Sequence, residues 1–190
     1  INRICISINN RCNLGCKYCH FHEKGILDDA DMDVFKILDN VKAYAKGNFK
    51  IGFVGNGEGL LDWTKLKSYI TYLENYPNIS IYTITNGTVP LSDEDWRFLE
   101  NHNVNVGFSI DGYKELHDKN RGNSFDKAMH NVAEYKRVTG HYPTFNATVG
   151  EDSLLNADKV INFFKPFGAR VTFSRMIGRY GISCLLYTSP

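Results

Sequence analysis

Residues 3–20, "RICISINNRCNLGCKYCH", join an alternating apolar run to a loop that holds three of the chain's five cysteines, Cys12, Cys16 and Cys19. The run has the period-two pattern of a strand. Asn13 and Gly15 inside the cysteine segment are poor helix formers, so three thiols sit in a loop immediately after a strand rather than as one stripe of a helix. Further strand-like runs occur at 50–55, 80–85, 105–110, 144–149 and 170–175, each but the last followed by a longer stretch with helical spacing or a cap. Asp31 is expected to open a helix with Val34, Phe35, Leu38, Val41 and Tyr44 on one face. Asp62 should precede a second helix closed by Pro77, Ser92 should cap a third, Ser124 should begin a fourth ended by Gly140, and "LLNADKVINFFKPFG" should form a fifth broken at Pro166 and Gly168.

Strand followed by helix, repeated along the chain, predicts an α/β fold with a parallel sheet and right-handed crossovers, either a curved barrel or an open doubly wound sheet. The first strand leads into no phosphate-cradling glycine turn, which weighs against a nucleotide fold. The segments after successive strands are the cysteine loop, "NGEGLL", "NGT" and "DGYKELHD". In a parallel barrel these all lie on the carboxyl rim, where active sites are built.

Composition sets the limits. A chain of 190 residues, 43% apolar and 23% charged, is ordinary for one globular domain. With 22 Lys and Arg against 21 Asp and Glu the net charge is +1, which gives no electrostatic case for nucleic acid or a membrane surface. No apolar run approaches the roughly 20 residues of a bilayer span, and the opening residues lack the plan of a signal peptide. A reducing, cytoplasmic setting is therefore expected, where clustered cysteines point to metal or redox chemistry rather than disulfides. Residues 1–183 are expected to form one core domain, and Cys184 to Pro190 ("CLLYTSP") read as a non-native tail.

Two metal readings remain for the three cysteines. Structural zinc needs four closed ligands, with His20 or His22 as the fourth, but zinc ligands usually come as two separated short pairs. An iron–sulfur cluster suits soft thiolates, and three of them leave one iron of a [4Fe–4S] cluster open to a substrate or cofactor. Cys5, alternating inside the first strand, is expected in the core.

The Cys12-x3-Cys16-x2-Cys19 loop after the first strand resembles the signature of the radical S-adenosylmethionine (radical SAM) superfamily, and the resemblance covers roughly residues 3–176. It implies a partial (β/α)6 TIM-like barrel, a [4Fe–4S] cluster on Cys12, Cys16 and Cys19, and SAM on the open iron, cleaved reductively to a 5′-deoxyadenosyl radical. "GNGEGLL" (55–61) resembles the glycine-rich segment that meets the methionine amino group, implicating Gly55, Gly57 and Glu58, although Gly59 stands where proline is usual. "SIDG" (109–112) and "HDKNRGNSF" resemble the SPASM-type peptide maturases and anaerobic sulfatase-maturing enzymes. There Ser109 would contact SAM and Arg121 would pair with its carboxylate, as a guanidinium fork suits. Tyr18 lies where an aromatic often adjoins the adenine, and Asn86 is expected only to shape its turn. The resemblance further implies a peptide or protein substrate and an electron donor such as flavodoxin or ferredoxin, with no acid or base assignable. A noncatalytic zinc-binding module, or a relative acting on RNA or a small molecule, are the alternatives.

Overall fold

The computed structural model describes residues 2–23, 33–45 and 47–177. Its six strands are β1 (Arg3–Ile6), β2 (Phe49–Phe53), β3 (Ile79–Thr85), β4 (Asn105–Ser109), β5 (Thr144–Val149) and β6 (Val171–Arg175). They lie in simple sequence order, every neighbouring pair parallel. A doubly wound sheet would reverse that order at a switch point. Here every crossover advances the same way, and the sheet curls into a half-barrel with its helices outside.

The helices are α1 (His20–Glu23), α2 (Val34–Tyr44), α3 (Trp63–Leu73), α4 (Asp93–Asn101), α5 (Lys114–Arg121), α6 (Phe125–Thr139), α7 (Glu151–Leu155) and α8 (Ala157–Phe164). The core lies between them and the outer face of the sheet. Ile51, Phe53, Ile81, Val106, Phe108, Phe145 and Ala147 alternate outward along the strands and are buried against Leu38, Leu66, Ile70, Trp96, Leu99, Val132 and Val160. Burying each Val, Leu, Ile or Phe among them contributes about 1.5–3 kcal/mol. Around Trp96 the rings of Phe108 and Tyr135 pack at 6.1 and 5.4 Å. The other face of the sheet is concave and polar, formed by the alternate residues, Arg3 and Cys5 on β1 through Thr172 and Ser174 on β6.

Several expectations need correction. Cys5 is exposed on the concave face, its Sγ 3.2 Å from Tyr82 Oη, not in the core. Of the α2 face, Val34, Leu38 and Val41 are buried, but Phe35 lies a step round the helix at 40% exposure and Tyr44 in the last turn reaches 81%. Asp33 caps α2 through Lys36 N; Asp31 lies outside the described residues, as do Cys184 to Pro190. Ser92 caps α4 as expected, accepting from Asp95 N, and Gly140 ends α6 at φ +87°. Asp62 and Ser124 stand at helix starts without capping through their side chains, because both are engaged elsewhere. The fifth helical stretch begins earlier than expected and splits at Asn156 into α7 and α8, and Gly168 ends it in the left-handed region. The segment after β4, for which the sequence pattern offered no helix, contains α5.

Candidate active site on the carboxyl rim

The cysteine loop leaves β1 and is gripped by the loop after β2. Asn9, 5% exposed, donates to Glu58 O at 3.1 Å and to Asp62 Oδ2 at 2.7 Å, while its Oδ1 accepts from Arg11 N at 3.0 Å. Glu58 N donates to Arg11 O at 2.7 Å, and the Arg11 guanidinium pairs with Asp62. Ser7 Oγ accepts from Asn56 N and donates to Asn9 O. The two backbones come so close that a Cβ on Gly55 would meet Ser7, and one on Gly57 would meet Asn9 and the backbone of Arg11. Both glycines are therefore explained first by contact between the two loops.

Glu58 is 3% exposed and its carboxylate is largely occupied. Oε1 accepts from Leu60 N at 3.1 Å and from Thr85 Oγ1 at 2.8 Å; Oε2 accepts from Asn86 N at 2.6 Å. Burial pushes its pKa up, against the pull of these hydrogen bonds. Glu58 thus ties the β2 loop to the end of β3. Asn86 does more than shape its turn. Its Oδ1 accepts from Thr88 N at 2.9 Å, while Nδ2 donates to Asn13 Oδ1 at 2.8 Å and lies 3.8 Å from Cys12 Sγ. Asn13 Nδ2 in turn donates to Thr88 Oγ1 at 2.8 Å.

On the opposite side the loop is held by Asp111, 1% exposed just beyond β4. Its Oδ1 accepts from Arg121 Nη2 and from Thr148 N, both at 3.0 Å; its Oδ2 accepts from Tyr18 Oη at 2.9 Å and from Asn120 Nδ2 at 3.2 Å. Lys17 N also donates to Asn120 O at 2.8 Å. One carboxylate thus joins the cysteine loop, β4, α5 and β5. Arg121, 7% exposed, lies with its guanidinium carbon 5.4 Å from the Tyr18 ring centroid. Its Nε is buried with no hydrogen-bond partner among the described residues. Burial also raises the Tyr18 phenol, which keeps it protonated and a donor to Asp111. Behind this hub His117 accepts from Asp111 N through Nδ1 at 3.4 Å, and its Nε2 lies 3.0 Å from Ser124 Oγ, the contact that occupies Ser124.

α5 puts Leu116, His117, Asn120 and Arg121 on one buried side and ends at Gly122, φ +68°. Ser109 closes β4 half-buried, paired with Asn146 in the ladder, and its hydroxyl makes no hydrogen bond among the described residues. The structure therefore brings Tyr18 and Arg121 into contact and fixes Gly55, Gly57 and Glu58 against the cysteine loop. Ser109 shares the rim at the end of β4, with no hydrogen bond to Arg121 among the described residues. Asn9, Asp62, Asn120 and Thr148 are additional members; only the polar "INN" at the end of the first strand hinted at any of them.

Cys12 is exposed, and Cys16 and Cys19 are half-buried, with Cys19 N donating to Cys16 O at 3.0 Å. Burial raises the Cys12 thiol and pushes Cys16 up to about 11 despite the nearby Arg121. A metal bound there would displace the protons of the thiols it takes as ligands. Among the described residues no three His, Cys, Asp or Glu side chains converge on a single ion. A cluster, by contrast, takes one thiolate on each iron and needs no such common point. Three thiols, an unpartnered guanidinium nitrogen and a free hydroxyl on one rim fit a cluster with a charged ligand beside it.

Comparison with known proteins agrees. A family model described as the radical SAM superfamily matches residues 6–153. The cysteine-type anaerobic sulfatase-maturating enzyme of Clostridium novyi (strain NT) is 31% identical over 176 residues, 83% of this chain and 46% of that protein. Its counterpart from Clostridium perfringens (strain 13 / Type A) is 29% identical over 174 residues, 81% of this chain and 45% of that one. The solved structure of native anSMEcpe with bound AdoMet and Cp18Cys peptide superposes with a TM-score of 0.79 at 26% identity, covering 95% of this chain and 54% of that one. The chain thus spans about half the length of these relatives. With most of its length matched, its sheet curled into the same half-barrel and its three cysteines on the rim, it belongs to the radical SAM superfamily, whose members use a [4Fe–4S] cluster and SAM.

Proposed function

We propose that this chain is the SAM-cleaving core of an enzyme that modifies a peptide or protein side chain, with Cys12, Cys16 and Cys19 holding one [4Fe–4S] cluster. The observation that carries the proposal is the anchoring of the Cys12–Cys19 loop from both sides, by Asn9, Glu58 and Asn86 on one and by Asp111 through Tyr18 on the other. When bound, cluster and SAM supply a 5′-deoxyadenosyl radical, which takes hydrogen from an unactivated carbon.

The chain's own residues orient and enclose. Arg121, fixed by Asp111 with Nε unsatisfied, supplies a positive fork for the SAM carboxylate. Ser109 offers a free hydroxyl, and Gly55 and Gly57 present backbone from a loop already locked in place. Glu58 acts by holding loops together, since its oxygens are engaged. Tyr18 serves chiefly to position Arg121, a narrower role than stacking on adenine. Similarity to sulfatase-maturating enzymes, and to a structure holding a peptide, supports a peptide substrate. A one-electron donor such as flavodoxin or ferredoxin would reduce the cluster, in the cytoplasm, where thiols stay reduced.

Anaerobic reconstitution with iron and sulfide tests this reading. Brown protein that releases 5′-deoxyadenosine from SAM under dithionite is expected. Colourless protein that takes zinc instead, and leaves SAM intact, would contradict it.

A further inference from the structure

The concave face of the half-barrel encloses a cavity of about 540 Å³ on the amino-terminal side of the cysteine rim. Tyr82, Asn105 and Asn146 are among its uncharged walls, and Arg3, Lys50 and Arg170, at the amino-terminal ends of β1, β2 and β6, are its charged ones. No Asp or Glu among the described residues lines it. Arg3 and Lys50 are register partners on β1 and β2, so two cations project side by side from strands about 4.8 Å apart. Like charges so placed repel each other. Arg170 leads into β6, on the other flank of the cavity.

None of the three has a carboxylate partner among the described residues. Several cations of the helical shell are treated differently. Arg137 pairs with Asp93 and Glu134, Lys114 with Asp118 and Asp126, and Lys119 with Asp152. The near-zero net charge of the whole chain therefore conceals a hollow whose charged side chains are all positive.

We propose that this hollow is a subsite for the acidic part of an extended peptide substrate, whose carboxylates engage Arg3, Lys50 and Arg170. The proposal rests on the peptide-modifying reading above and specifies the substrate class. From Arg3 to Ser7, where the strand reaches the rim, is four residues, about 13 Å at about 3.3 Å each. An extended peptide covers that span in about four residues. Glu or Asp is thus placed about four positions from the residue modified at the rim.

Calorimetry with two probes, acetyl-tetraglutamate amide and acetyl-tetraglutamine amide, tests the assignment on the protein. The Glu peptide is expected to bind, more weakly as salt rises, and the Gln peptide at least about tenfold more weakly, the worth of one charge-assisted hydrogen bond. Arg170→Gln and the double substitution Arg3→Gln/Lys50→Gln should each weaken the Glu peptide by about tenfold. These side chains are solvent-exposed, so circular dichroism should show the fold unchanged. Equal binding of the two peptides, variants without effect, or full displacement by equimolar inorganic phosphate would overturn the proposal. Release of 5′-deoxyadenosine without peptide, measured on the same samples, should be alike in wild type and variants. If the wild type releases none while the Glu peptide still binds selectively, the radical chemistry fails and the subsite stands. If SAM cleavage holds while both peptides bind alike, the subsite alone fails.

Discussion

Asp111→Asn is an isosteric change at the point where the cysteine loop, β4, α5 and β5 meet. The amide can keep its oxygen toward Arg121 and Thr148 N, but its nitrogen then faces the Asn120 amide nitrogen and the Tyr18 hydroxyl. Two hydrogen bonds are lost or reversed, and Arg121, with only 8% of its side chain exposed, loses its counter-charge. Breaking a buried pair in this way costs about 3–5 kcal/mol. For a domain of this size each kcal/mol lowers Tm by about 2–4 °C, so a fall of about 6–20 °C is expected in far-ultraviolet circular dichroism. Asp111→Asn/Arg121→Met, which removes the stranded charge as well, should be more stable than Asp111→Asn alone by about 1 kcal/mol or more. A fall of less than about 2 °C for Asp111→Asn, or additivity in the double variant, would refute the claim that this carboxylate is the keystone of the rim.

Other consequences can be checked separately. Burial, reinforced by Arg121, lowers the pKa of His117 from 6.5 to about 4. The folded chain thus binds fewer protons than the unfolded one between these values; the associated stability, about 3 kcal/mol, is whole above pH 6.5 and lost as pH falls toward 4. Denaturant titrations at several pH values should show a shallower acid slope for His117→Gln than for wild type, and identical slopes would contradict the assignment. Gly57→Ala should push the cysteine loop away through Asn9 and Arg11, cutting iron uptake while circular dichroism stays native; full iron content would count against the close packing. Cys5→Ser should leave iron and sulfide content unchanged, since Cys5 faces Tyr82 on the strand wall, and a loss would place it among the ligands.

The strands were legible because a parallel half-barrel buries one face of each and repeats the pattern at every crossover. Cys5 faces the hollow because its alternation partners are Arg3 and Ser7, not Ile4 and Ile6, and they mark its face as the polar one. α5 carries little apolar signal, for a deeper reason. Its buried residues include His117, Asn120 and Arg121, which hydropathy periodicity counts as surface; they are buried because Asp111 and Ser124 satisfy them. The three cysteines were plain from spacing alone. The partners of Glu58, Asp62 and Asp111 were not, because each contact crosses between loops that only the curl of the sheet brings together.

The proposed function requires that Cys12, Cys16 and Cys19 together hold the group on which SAM is cleaved. Cys12→Ala, Cys16→Ala and Cys19→Ala, each reconstituted anaerobically beside the wild type, should lose 5′-deoxyadenosine release under dithionite and the brown colour with it. Undiminished release from any one of them would contradict the account.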